Sequence, residues 1–322
     1  MNRSFQGYLI GIVAAATYGL NPLFALHLYA DGLSTGVVLL FRYLLAVPIV
    51  AIMIKARGRN FRVNIKQLGA LTGLGLLMGF SSLALFESYH CMEASIASTM
   101  LFVYPLMTAV LMAVIYRERM GWLTWVCMFT ALAGLVLLTK GDASTVSLKG
   151  VAWVMASSLS YALYLIWVGR PSVAKLGTLK ITFYALLSGM MIFVVQVAVA
   201  DPLPMFPSSV AQWGNLLGLA VLPTAISLAC TNVAIRLIGS TPTAILGVFE
   251  PVTAVVIGVC VFHEVISPRQ FVGLMLVLLS VSLVIAGKDV AMRLVGARRM
   301  LPPRRMLPPR GMLSRRRRSN RK

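Results

Sequence analysis

The chain has 322 residues, 59% of them hydrophobic and only 12% charged, with 29 basic and nine acidic side chains. A soluble domain is about a quarter charged and under half apolar. A mean hydropathy of +0.86 therefore leaves more apolar surface than a water-facing shell can hide. These figures exclude a soluble enzyme, a disordered protein and a disulfide-rich secreted module, and they make the lipid bilayer the first expected partner.

In chain order, apolar runs predict helices over 5–28, 33–54, 68–89, 94–116, 120–139, 148–169, 178–200, 210–236, 240–262 and 266–287. Each is close to the ~20 residues that cross a bilayer. The expected fold class is an all-α membrane protein with ten transmembrane helices. The first apolar run continues from Leu9 past Leu20 to Leu28, too long for a cleaved signal peptide, so it reads as a retained helix. The seventh and eighth runs are joined by the rigid, charge-poor Asp201-Pro202-Leu203-Pro204-Met205-Phe206-Pro207. No connection is long enough to carry a separate soluble domain.

Charge sets the expected orientation. With the N-terminus inside, twelve Lys and Arg fall in inner connections, among them Lys55, Arg57, Arg59, Arg62 and Lys66, against Lys140, Lys149 and Arg269 outside. Cytoplasmic loops carry such an excess, so both ends are expected in the cytoplasm, in the cell inner membrane. The four cysteines form no CxxC pair and have no histidine at metal spacing. They read as small core residues, and no metal or cofactor is expected.

The two halves echo each other. Tyr104-Pro105-Leu106-Met107-Thr108-Ala109-Val110 leads to Glu118, and Glu250-Pro251-Val252-Thr253-Ala254-Val255-Val256 leads to Glu264. Pro105 and Pro251 are 146 positions apart, as are Glu118 and Glu264. Tyr18 and Tyr161 pair at a nearby offset of 143. Five helices per half is an odd number, so the second copy enters from the opposite face and the repeat is inverted. Such repeats belong to carriers with a site near the midplane. The expected division is 1–141 and 142–287 for the repeats, with a tail over 288–322.

On these residues the chain resembles the EamA family of the drug/metabolite transporter superfamily. The likeness rests on Phe249-Glu250-Pro251-Val252 with Glu264, echoed by Pro105 and Glu118, and it extends over residues 5 to about 287. It implies ten helices in two five-helix halves, and transport of a small metabolite such as an amino acid, or of a drug, often outward. Tyr104 stands where the second half has Glu250, so the halves are not chemically equivalent.

Charges inside a bilayer are costly and need a reason. Arg42 lies about a third of the way into the second helix and Glu250 near the middle of the ninth. Both fall near the midplane. They are expected to bind substrate, with a zwitterion's carboxylate toward Arg42 and its amine toward Glu250; the alternative is a fixed ion pair that only orients helices. Tyr18, Asn21, Tyr104 and Tyr161 are second-tier substrate-binding candidates, because an aromatic body with a polar tip suits the wall of an organic-solute cavity. Glu250 is also the candidate for a coupling proton. Glu87, near the outer end of the third helix, either gates an outer vestibule or simply faces water. Pro22, Pro105, Pro223 and Pro251 are expected to interrupt helices by removing a backbone hydrogen bond, and Pro105 and Pro251 are the gating candidates.

Gly73-Leu74-Gly75 resembles a nucleotide fingerprint, but no strand precedes it. The GxxxG spacings 69/73 and 75/79 fit close helix packing instead. The tail repeats Arg-Arg-Met-Leu-Pro-Pro from Arg298 and ends in a basic run. Its expected partner is anionic lipid, not nucleic acid. The expected function is a secondary transporter, monomeric or homodimeric, moving a small-molecule substrate by alternating access. An intramembrane enzyme has no HExxH, GxSxG or aspartate pair to support it, and a channel would need a selectivity ring.

Overall fold

The computed structural model describes residues 3–116, 122–139, 147–168, 173, 176–200, 205–238, 243 and 246–283. Glu118, the connector 201–204 and the tail lie outside the described residues.

The described chain is helical throughout, with turns between helices. Seven stretches are long and apolar enough to cross a membrane: Phe5–Ala30, Thr35–Ala56, Ile65–Ser88, Ala94–Ile115, Leu148–Val168, Thr178–Val199 and Val210–Thr231. Three apolar helices are shorter: Trp125–Leu137, Phe249–Phe262 and Pro268–Leu283. They fall in the ten expected places and are called the first to tenth spans. Large apolar side chains stand exposed along them, among them Ile52, Phe129, Val195 and Leu279, as suits a lateral surface wetted by lipid.

Helix starts are satisfied locally. Gln212 accepts from the Ser209 N–H at 3.3 Å while the Ser209 hydroxyl accepts from the Gln212 N–H at 3.1 Å. Ser267 and Gln270 repeat the arrangement ahead of the tenth span. These reciprocal caps cover N–H groups that a helix leaves unpaired.

Contacts at the ends of the spans give their directions. At one end the Lys180 ammonium donates to Asn60 Oδ1 at 3.1 Å and to the Arg62 carbonyl at 3.0 Å, and the Tyr184 hydroxyl donates to the Phe61 carbonyl at 2.7 Å. At the other, Tyr29 stacks on His90, His90 meets the Thr35 hydroxyl, and the Ser147 N–H donates to the Cys91 carbonyl. The Ala94 N–H donates to Glu264 there as well. The first span therefore runs opposite to the sixth, the second to the seventh and the fourth to the ninth, as an inverted repeat requires. Lys55, Arg57, Arg59, Arg62 and Lys66 cluster with Lys180 at the first of these ends, here called the basic end.

Small residues bring the spans together. A Cβ on Gly75 would lie 3.0 Å from the Gly189 nitrogen, and one on Gly79 2.8 Å from the Gly189 carbonyl oxygen. The third and seventh spans thus cross backbone to backbone, as the 75/79 spacing predicts. The 69/73 spacing does not make such a crossing. Gly69 faces open space and Gly73 meets the Trp167 ring. The cysteine expectation holds for buried Cys127, but Cys260 is exposed.

The third and sixth spans are joined by a reciprocal pair. The Ser157 hydroxyl donates to the Ser81 carbonyl at 2.7 Å, and the Ser81 hydroxyl donates to the Ser157 carbonyl at 3.0 Å. An interhelical bond of this kind contributes about 0.6–1.7 kcal/mol in a membrane protein. Ser157→Ala is expected to lower stability by about 1 kcal/mol, read as an earlier midpoint when purified protein is titrated with denaturing detergent.

Candidate functional site

Four spans are interrupted at mid-depth, and the interruptions build the site. The first span breaks at Gly19 and Leu20, between Tyr18 and Asn21. The fourth breaks at Phe102 and Val103, just before Tyr104. The ninth begins its described helix at Phe249, just before Glu250. The eighth widens into a π turn over Val221–Ile226. Gly19 is required here, because a Cβ on it would strike the Glu250 carbonyl and lie 2.7 Å from Thr253. Irregular backbone at this depth is tolerated where it lines a cavity.

The proline expectation needs correction. Pro22, Pro105 and Pro251 are not mid-helix interruptions. Each sits in the first turn of the helix that follows a break. A first-turn residue has no intrahelical N–H bond to lose, and the fixed φ of proline suits that position. The break precedes the proline in each case. Neither Pro105 nor Pro251 lines the cavity. Pro223 lies within the π turn.

Two adjoining chambers with lining residues in common lie at the breaks. The inner one, about 30 Å³, is lined by Tyr18, Asn21, Arg42, Tyr104, Tyr161 and Glu250, together with Met78, Ser81, Ser82, Leu85, Phe86 and Leu101. All six substrate-binding candidates thus face one space. The outer chamber, about 230 Å³, shares Tyr18, Arg42, Met78, Ser82 and Tyr161 with it. It continues past Tyr164, Thr182 and Thr231 to Thr178, an exposed residue at the basic end. Phe86 and Leu101, both buried, belong to the wall of the inner chamber alone.

Arg42 stands between the chambers and is only 6% exposed. Its Nε donates to the Thr224 hydroxyl at 3.3 Å, and Thr224 in turn donates to the Leu219 carbonyl at 3.1 Å. The guanidinium carbon lies 5.4 Å from the centre of the Phe86 ring. Among the described residues this is its one hydrogen bond, so both Nη groups remain able to hold a ligand. A guanidinium binds a carboxylate best through two parallel N–H bonds. The expected alternative of a fixed ion pair with Glu250 is not formed.

Glu250 brings a carboxylate to the inner chamber with no hydrogen-bond partner among the described residues. Asn21 donates its Nδ2 to the Tyr18 carbonyl at 2.8 Å, while its Oδ1 is buried and unpartnered. The inner chamber therefore presents two kinds of acceptor, a carboxylate and an amide oxygen. Phenol rings complete its wall. Tyr104 and Tyr161 meet edge to face with centroids 4.7 Å apart, and Tyr161 stacks on Tyr164 at 5.8 Å. Glu87 is elsewhere, half-buried near the end opposite the basic one, and lines neither chamber.

Sequence reasoning missed Ser82, Thr224, Thr178, Thr182, Ser227 and Thr231, the hydroxyl groups of the outer chamber. The pair Ser81-Ser82 in the middle of an apolar run was the available signal. Ser82 is tied to the Tyr43 hydroxyl at 2.8 Å.

Comparison with known proteins places this architecture. The model of the EamA-like transporter family matches residues 5–140 and again 148–286. An uncharacterized transporter of Synechocystis is 25% identical over 315 residues, covering 88% of this chain and 94% of that one. An uncharacterized transporter of Archaeoglobus fulgidus is 24% identical over 262 residues, covering 81% of this chain and 90% of its own. A solved crystal structure superposes with a TM-score of 0.62 at 17% identity, over 86% of this chain and 96% of the other, and shows the same fold.

Proposed function

The chain belongs to the EamA-like transporter family, and from that premise we propose that it is a secondary carrier, without enzymatic activity, for a small zwitterionic solute of amino-acid type. The two repeats, divided near residue 141, rock about the cavity and export the solute across the inner membrane. The basic end faces the cytoplasm, in keeping with the excess of Lys and Arg in cytoplasmic loops. The tail beyond residue 287 lies against anionic lipid.

One observation carries this reading: Arg42 borders both chambers while Glu250 borders only the inner one. A cavity needs about 10–15 Å³ to hold a water, so the inner chamber of about 30 Å³ admits a group of ammonium size but not a whole solute. The ammonium enters there, toward Glu250 and Asn21 Oδ1. The solute's carboxylate stays at the junction on Arg42, and its side chain occupies the outer chamber. The hydroxyl-lined path to Thr178 is its route from the cytoplasm. Alternating access closes this path and opens the opposite end.

The test is counterflow into proteoliposomes preloaded with a mixture of unlabelled amino acids. Wild-type protein is expected to accumulate labelled zwitterion with saturation. Glu250→Gln is expected to lose at least tenfold in apparent affinity for a primary amine, yet to change little for the corresponding carboxylic acid without its amine. Equal loss for both compounds, or uptake that never saturates, would remove the assignment.

A further inference from the structure

A second cluster of buried polar atoms lies apart from the cavity, at the end opposite the basic one. The ninth span stops at Phe262, and His263 takes a left-handed φ of 54°. The chain turns back there, and the Glu264 N–H donates to the Gly258 carbonyl at 2.9 Å. The Glu264 carboxylate then lies over Gly258. A side chain on Gly258 would collide with it and would come 3.2 Å from Ser95 Cβ. Glu264 Oε1 accepts from the Ala94 N–H at 3.0 Å, where the fourth span begins.

The remaining atoms are not satisfied. Five buried side-chain atoms among the described residues have no hydrogen-bond partner, and three of them are here: Glu93 Oε2, Ser95 Oγ and Glu264 Oε2. Ser95 is 0% exposed. An unpaired buried polar atom destabilises, more so when charged, and two carboxylates sharing a site repel. Burial, then the charge of Glu264, holds the Glu93 carboxyl above the usual carboxylate range.

We propose that Glu93, Ser95 and Glu264 form a site for one monovalent cation, a proton or a sodium ion, which latches the fourth span to the ninth at this end. The cation removes the repulsion and gives the orphaned oxygens a partner. Glu93 and Ser95 belong to the first half and Glu264 to the second, so the site is complete only while the halves touch here. Binding therefore favours the conformation whose cavity opens at the basic end. Tyr89 is buried within electrostatic reach of both Glu264 and Glu250. The inference holds whatever solute the cavity takes, and its test uses none.

The two cations have opposite signatures. A proton is held more tightly by the latched form, so latching is full at acid pH and is lost as pH rises through the raised Glu93 value. Sodium needs the Glu93 carboxylate ionised, so its effect appears only above the raised Glu93 value. Other ionisable groups at this end are His27 on the first span and Asp31 after it, Glu87 on the last turn of the third span with His90 and Cys91 after it, His263 in the turn itself, Lys149 on the first turn of the sixth and Arg269 on the tenth. His27→Gln, His90→Gln and His263→Gln separate their titration from that of Glu93.

The experiment follows thermal unfolding of the full chain in detergent from pH 5 to 9, in choline chloride and in sodium chloride at equal ionic strength. A midpoint that falls with pH in both salts assigns a proton. A fall in choline that sodium reverses assigns sodium. Glu93→Gln, neutral and able to donate to Glu264, is expected to keep the acid-pH midpoint throughout and to ignore sodium. Hydrogen exchange of the wild-type segment 89–101, corrected for intrinsic rates, needs no variant. Protection is expected to rise about tenfold in the latching condition, for a tenfold difference in cation affinity between latched and open forms. Protection unchanged by pH and sodium, or profiles of wild type and Glu93→Gln that coincide, would overturn the proposal.

Discussion

Arg42→Ala is expected to cut solute transport by about 100-fold or more while leaving a folded protein. Truncating one member of a buried, hydrogen-bonded charge pair costs about 2–5 kcal/mol, and each 1.4 kcal/mol is a factor of ten. The loss falls on solute binding, because Arg42 has no other charged partner among the described residues and its one hydrogen bond goes to the uncharged Thr224 hydroxyl. Arg42→Lys keeps the charge but loses the planar fork and the reach to Thr224. Its expected transport lies between wild type and alanine, since the two cations are not interchangeable at a bidentate site. Initial uptake rates in proteoliposomes, normalised to reconstituted protein, check both. Thr224→Val is the companion variant, expected to weaken transport by about tenfold through loss of one charge-assisted bond of about 1.5 kcal/mol.

Gly189→Val is expected to have the largest effect on stability. Its Cβ would lie 2.8 Å from the Gly75 carbonyl oxygen and 3.2 Å from the Tyr43 ring. The first of these neighbours is backbone, so the third and seventh spans must move apart. Overpacking of this kind costs about 1–3 kcal/mol, and here it also opens a crossing that positions Tyr43 and Ser82 beside the outer chamber. The expected outcome is a marked drop in folded yield and an earlier unfolding midpoint. Gly69→Ala and Gly214→Ala are the controls. Neither Cβ meets anything within 4 Å, and alanine favours a helix interior by up to about 1 kcal/mol, so both are expected to leave the midpoint unchanged or slightly raised. A Gly189 variant as stable as these controls would contradict the close crossing.

Arg42 and Glu250 were legible because a charge inside an apolar run has few cheap explanations, and both stand at the cavity. The phenols and Asn21 were legible for a weaker reason, a polar tip on a body that lipid would accept. The breaks themselves were not. Proline marks an interruption in sequence, but Pro22, Pro105 and Pro251 belong to the helix after the break, and the backbone opens just ahead of them. The π turn over Val221–Ile226 is the exception, since Pro223 lies within it, but nothing in the sequence marked Thr224 as the residue it presents. The Gly75/Gly79 spacing foretold a crossing, whereas Gly69 and Gly73 have the same spacing without one, because spacing alone says nothing of what lies opposite. Glu93 passed unnoticed as a loop residue. Its neighbour Ala94 meets Glu264 across 170 positions of sequence, a distance over which only the folded repeat can bring groups together.

The most direct measurement is equilibrium binding by detergent-solubilised protein of three compounds that share one side chain: an amino acid, its amine without the carboxylate, and its acid without the amine. Wild type is expected to bind the amino acid at least tenfold more tightly than either fragment. Arg42→Ala is expected to lose preference for the carboxylate only, and Glu250→Gln for the amine only. Equal affinity for all three compounds, or an undiminished preference for the amino acid in the Arg42→Ala Glu250→Gln double variant, would contradict a cavity that holds a zwitterion between these two groups.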